Sequence, residues 1–137
     1  MDLLLLDSRN RANSGDDAST CRFVLTPAIT NIHTVSLCSF DLPIPAIEDD
    51  EGVFLFTIDE FGTNVRGTNE ADNCTFVLLR ETAPETRTAL YSKITFDQII
   101  MLPNRNINQL NCRISYRQGS GEPVVLGGDW SCLLKIN

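Results

Sequence analysis

Between Asn108 and Arg117 apolar and polar residues alternate one by one. Leu110, Cys112, Ile114 and Tyr116 fall on one side of an extended chain, and Asn111, Arg113, Ser115 and Arg117 on the other. Side chains of a strand point to alternate faces, so this segment reads as a strand packed on one side and wet on the other. A helix is excluded, because its apolar positions recur about every 3.6 residues. Trp130, Cys132, Leu134 and Ile136 repeat the rule, which places Leu110, Cys112, Ile114, Trp130, Cys132 and Leu134 inward.

The rest of the chain fits the same class. Val53 to Ile58 and Cys74 to Leu79 are short, nearly continuous apolar runs with aromatics, the composition of strands buried on both faces. Leu3 to Leu6, Arg22 to Leu25, Ile32 to Phe40 and Ala89 to Lys93 complete a set of about eight strands. In Ile32 to Phe40 apolar residues occur at both parities, so its inner face stays open. Thr95 to Leu102 reads as a strand or a short helix, and Val124 to Leu126 as a short strand pairing across a Gly119–Pro123 hairpin. Gly, Pro, Asn and Asp fall between the runs, where turns need them. The result is a single domain over residues 1–137: an all-β, antiparallel two-sheet sandwich, either a jelly roll or another sandwich.

Composition narrows the function. The formal charge of the 137-residue chain is −7 and its eleven Lys and Arg are scattered, a poor match for nucleic acid, whose binding rests on neutralised phosphates. No apolar run approaches the ~18 residues of a membrane helix. Leu3 to Leu6, preceded by Asp2, is too short for a secretory core, so nothing is expected to direct export. Cys21, Cys38, Cys74, Cys112 and Cys132 are odd in number and unclustered, the pattern of reduced thiols rather than a disulfide framework. On that expectation the sequon Asn73-Cys74-Thr75 stays unmodified.

Catalytic chemistry finds little material. His33 is the only histidine, and inside an alternating strand a structural role is expected for it. A sandwich metal centre of the cupin type needs several histidines, and no G-x-S-x-G elbow exists. Gly119-Ser120-Gly121 reads as a hairpin turn. Asp16-Asp17 and Glu48-Asp49-Asp50-Glu51 lack the spacing of a calcium loop and read as solvated. Gly127-Gly128-Asp129 lacks the helix start and lysine of a phosphate cradle. Phe54, Phe56, Phe76, Phe96 and Trp130 read as core rather than as a sugar platform. The expectation is a non-enzyme without metal or cofactor.

The charges that stand out are Asp7, Arg9 and Arg11, in Asp7-Ser8-Arg9-Asn10-Arg11 directly after the first strand. Arginines two apart on a strand share a side, which would aim both forks at one partner; the alternative is a solvated loop. This box, with F-V-L-T-P-x-I-x-N-I-x-x-V-S-L-C-S-F-D-L-P from Phe23 to Pro43 and an echo from Gly127 to Ile136, resembles the single jelly-roll proteins built into the shells of icosahedral double-stranded DNA viruses. In that pattern a Ser-Arg-x-Arg box follows the first strand; Asn10 stands where Asp is more usual. The resemblance implies a single jelly roll of about eight strands acting as a penton-type or minor capsid subunit in the virion, assembled inside the host cell. Its implied partners are copies of itself in a ring, a pentamer at the vertex, and neighbouring major capsid proteins. It assigns Asp7, Arg9 and Arg11 to the assembly interface, with the loops Pro43–Gly52 and Gly62–Asn73 facing outward or towards neighbours. The alternative is a spike, tail or decoration module recognising a host glycan or protein.

Overall fold

The computed structural model describes residues 2–42, 53–79, 90–91, 99–101, 106–116 and 128–137. Within them the chain is built of strands: β1 (Asp2–Asp7), β2 (Thr20–Ile29), β3 (Thr34–Leu42), β4 (Val53–Ile58), β5 (Phe76–Leu79), β6 (Leu90–Tyr91), β7 (Ile99–Met101), β8 (Ile107–Tyr116) and β9 (Ser131–Ile136). All pair antiparallel, in two sheets. One has the order β1-β9-β3-β6, with β7 also on β3; the other is β2-β8-β4-β5. Seven strands have four residues or more, three in the first sheet and four in the second. The expected eighth position is held by two short pieces, β6 against Asp41 and Leu42 and β7 against Thr34 to Ser36 of β3. Counting those two as one position, the chain switches between sheets in the order of a jelly roll.

The two faces meet in an apolar core. Leu110, Cys112, Ile114, Trp130, Cys132 and Leu134 are all buried within it, as the alternation requires. β4 is buried at Phe54, Leu55 and Phe56 alike. The outer face of β8 is less uniform than its sequence suggests. Arg113 is exposed, but Ser115 is 2% exposed, opposite Leu55 of β4, itself 3% exposed.

β3 resolves its own ambiguity through a bulge. Leu37 pairs with Leu134 but Ser39 pairs with Leu133, so Cys38 is an extra residue on β3. One inserted residue reverses the parity of the rest of the strand: Val35 and Leu37 point inward before it, Phe40 and Leu42 after it, while Cys38 is exposed. β3 also starts later than expected, at Thr34. His33 therefore stands before the strand, exposed, with its N–H donating to the Asn137 carbonyl. β2 runs well beyond Arg22 to Leu25, and Asn31, with φ +56°, turns the chain between β2 and β3.

Gly62 to Asn73, read as an outward loop, is internally tied. Val65 bridges Cys74, Asn73 accepts the Gly67 N–H, and a short 3₁₀ turn spans Glu70–Asp72. The buried Thr75 hydroxyl clamps its base, donating to the Gly62 carbonyl at 2.8 Å and accepting from Ile58 N–H at 2.9 Å. The acidic run Glu48–Glu51, the hairpin Gly119–Pro123, Val124–Leu126 and Phe96 lie outside the described residues.

Candidate functional site

The box after β1 coils into a 3₁₀ turn over Ser8–Asn10. Asp7 caps it, accepting the Arg9 N–H at 3.0 Å, and the Arg9 guanidinium folds back onto the same carboxylate, Nε to Oδ1 at 3.0 Å and Nη2 to Oδ2 at 2.6 Å. The Arg9 fork holds the Asp7 carboxyl below its ordinary value. Arg9 stays 72% exposed while making this contact. A depressed carboxylate pKa favours the fold above the ordinary titration near pH ~4, and that contribution disappears as pH falls through the folded value. In Arg9→Ala the Asp7 pKa, followed by NMR titration, rises towards the ordinary range. An exposed pair contributes little, so the melting temperature at neutral pH stays within error.

Arg11 behaves differently, because a 3₁₀ turn does not keep the i and i+2 positions on one side as a strand would. Its guanidinium turns inward and binds four groups. Nη1 donates to the Ser8 carbonyl at 2.7 Å and to Asp129 Oδ1 at 3.2 Å, Nε to the Asp16 carbonyl at 2.9 Å, and Nη2 to the Ser14 carbonyl at 3.0 Å. Arg11 thus pins the Asn13–Asp17 turn to the end of β1. Of the two arginines only Arg9 faces solvent.

Beneath them lies a contact absent from the sequence-based set. Ser8, 0% exposed, donates its hydroxyl to Asp129 Oδ1 at 2.8 Å and accepts the Trp130 N–H at 2.9 Å. Its own N–H reaches the Trp130 carbonyl at 2.9 Å. The box and the Asp129–Ile136 segment, more than a hundred residues apart, are therefore one structural unit. The clue in the sequence was an Asp directly before an inward-facing Trp.

Below this unit the Trp130 indole stacks on Phe40 at 5.2 Å and meets Phe56 and Phe23 edge-on at 5.4 and 5.7 Å. Its N–H donates to the Ala18 carbonyl at 2.6 Å. Trp130, Phe54, Phe56 and Phe76 are core residues, each at most 4% exposed.

An open depression of about 540 Å³ lies beside the box, where Arg22, Arg113, Asp16 and Asp59 line it together with Cys21 and Cys112. The two cysteines are direct cross-strand partners. Burial pushes Cys21 and Cys74 up to about 11, and Cys112 and Cys132 are raised by the same cause. Such thiols stay protonated near neutrality and make weak nucleophiles. All five thiols are free and only Cys38 is exposed. Iodoacetamide at pH 8 should therefore add one carbamidomethyl group, at Cys38, in the native protein and five after denaturation. A second rapid adduct in the native state would contradict the burial of the other four. Among the described residues no three His, Cys, Asp or Glu side chains gather to hold a metal ion, and no helix is long and apolar enough to cross a membrane.

In comparisons with known proteins, no family model and no curated protein matched the chain.

Proposed function

We infer that this chain is a structural subunit of an icosahedral virus shell, a single jelly roll of the penton type at the five-fold vertices or otherwise a minor shell component. The observation that carries the reading is the meeting of two of its three resembling segments. The Ser-Arg-x-Arg box and the Asp129-Trp130 segment lock together at the end of β1, on strands arranged in jelly-roll order. The box thus works as a built part of the fold that leaves one arginine fork outside. A vertex ring needs two different faces of one subunit to be complementary. Arg9 is the member of the box that faces solvent for such contacts, while Asp7, 13% exposed, holds its fork and Arg11 supports both from within. The chain's proposed neighbours are further copies of itself and the major capsid proteins, in the virion assembled inside the host cell. The competing glycan-binding reading calls for a surface aromatic platform, whereas the aromatics proposed for it that lie within the described residues are in the core.

Cryo-electron microscopy of purified particles, with a mass-spectrometric copy number, tests the reading. The expected result is density for the chain in the shell, five copies about each five-fold axis. Density only in a tail or spike would replace it with the binding-module alternative. Arg9→Ala should fold normally and enter particles less efficiently.

A further inference from the structure

The depression beside the box lies on the outer face of the second sheet. Cys21 and Cys112 oppose each other and are buried in the core, so their neighbours Thr20 and Arg22 on β2 and Asn111 and Arg113 on β8 point the other way. Arg22 stands opposite Asn111 and Arg113 opposite Thr20, which sets the two arginines diagonally on adjacent strands, about 7–8 Å apart. Both are exposed, and among the described residues neither has an ion-pair partner. Like charges this close repel. The chain has eighteen Asp and Glu against eleven Lys and Arg, yet this pair is left with its forked donors free.

Carboxylates stand at the two ends of this floor. The Ala12 N–H donates to the Arg22 carbonyl at 2.7 Å, which places the turn carrying Asp16 along the outer edge of β2. Asp59 directly follows Ile58, the β4 partner of Cys112, and so stands one strand beyond β8. Glu60 beside it is engaged, accepting the Asn111 N–H at 2.5 Å and its side-chain amide at 2.7 Å. Across the strands the lining therefore reads acid, base, base, acid. Three strand spacings of ~4.8 Å give it a span of about 14 Å.

We propose that this depression docks an extended segment of a partner protein, lying across the strands with an acidic side chain over Arg22 and Arg113 and a basic side chain at each end, against Asp16 and Asp59. Same-face side chains of an extended chain recur every ~6.8 Å, so a base-x-acid-x-base segment also spans about 14 Å. Charge complementarity selects this occupant. The end carboxylates repel the repeated phosphates of a nucleic acid, and among the described residues no aromatic side chain lines the floor to stack on a sugar. No acid of this chain has Lys or Arg both two residues before and two residues after it, so the partner is a different protein. The docking site stands independently of the shell assignment.

NMR titration of the full chain with the peptide Gly-Lys-Ala-Glu-Ala-Lys-Gly tests the proposal. The amides of Thr20 to Arg22 and Asn111 to Arg113 should shift saturably, with a Kd of about 0.1–1 mM, and added salt should weaken binding because the charges are exposed. Arg22→Gln combined with Arg113→Gln should weaken it about tenfold or more, with unchanged circular dichroism melts, both positions being exposed. Asp59→Lys should weaken this peptide yet bind Gly-Lys-Ala-Glu-Ala-Glu-Gly more tightly than the unaltered chain does, a compensation that a general loss of structure would not produce. Absence of saturable shifts up to about 5 mM peptide overturns the proposal. So does equal binding of the reversed pattern Gly-Glu-Ala-Lys-Ala-Glu-Gly, or indifference to the arginine substitutions. Displacement of the peptide by an equal concentration of inorganic phosphate would leave a plain oxyanion site and overturn it as well.

Discussion

Trp130→Ala should be the most damaging single substitution in the described core, lowering the unfolding free energy by roughly 3–5 kcal/mol. The indole fills the space between the sheets, with Phe40 from one and Phe23 and Phe56 from the other within 5.7 Å of its centroid. Truncation removes these contacts, leaves a cavity that three rings cannot close without leaving their rotamers, and strips the Ala18 carbonyl of its donor. Against a total of about 5–15 kcal/mol for a domain of this kind, such a loss brings the fold near its threshold. Trp130→Phe separates the contributions, keeping a ring but not the N–H, and should cost markedly less. Urea denaturation with far-ultraviolet detection measures both. A cost below about 1 kcal/mol for Trp130→Ala would mean that the indole is not the centre of the core.

The fold was legible wherever one residue sets one face. β8 and β9 followed from alternation alone, because a half-buried strand writes its geometry into its sequence. β3 did not. Its bulge at Cys38 puts inward residues at both parities, and no local pattern distinguishes an inserted residue from a polar or apolar substitution on a regular strand. Ser115 was misjudged for a related reason: its small polar side chain is consistent with either face, and its strand partner Leu55 is buried as well. The site was legible in part. Asp7, Arg9 and Arg11 stood out as charges. The assumption that the strand continued through them concealed their separate fates, which a 3₁₀ turn of three residues decides. Ser8 and Asp129 were missed as partners because their contact spans 121 positions, and only the three-dimensional closure of β1 on β9 brings them together.

That closure leads to the second large effect. Asp129→Ala should destabilise the protein by about 1.5–3 kcal/mol, the range for hydrogen bonds to a charged group, because the carboxylate accepts from both Ser8 and Arg11. Ser8→Ala should cost about 1–3 kcal/mol, since the buried Trp130 N–H loses its acceptor along with the Asp129 contact. The two changes share one hydrogen bond, so the double variant should fall short of the sum by about 0.5 kcal/mol or more in a double-mutant cycle. Additivity within error would mean that Ser8 and Asp129 act separately. The cycle also bears on the role of the box. If Arg9 owes its place to this lock, Asp129→Ala should lower particle incorporation along with stability, whereas Arg9→Ala should lower incorporation alone. Equal stability losses in the two variants would make the whole box a folding element and remove Arg9 from the proposed interface.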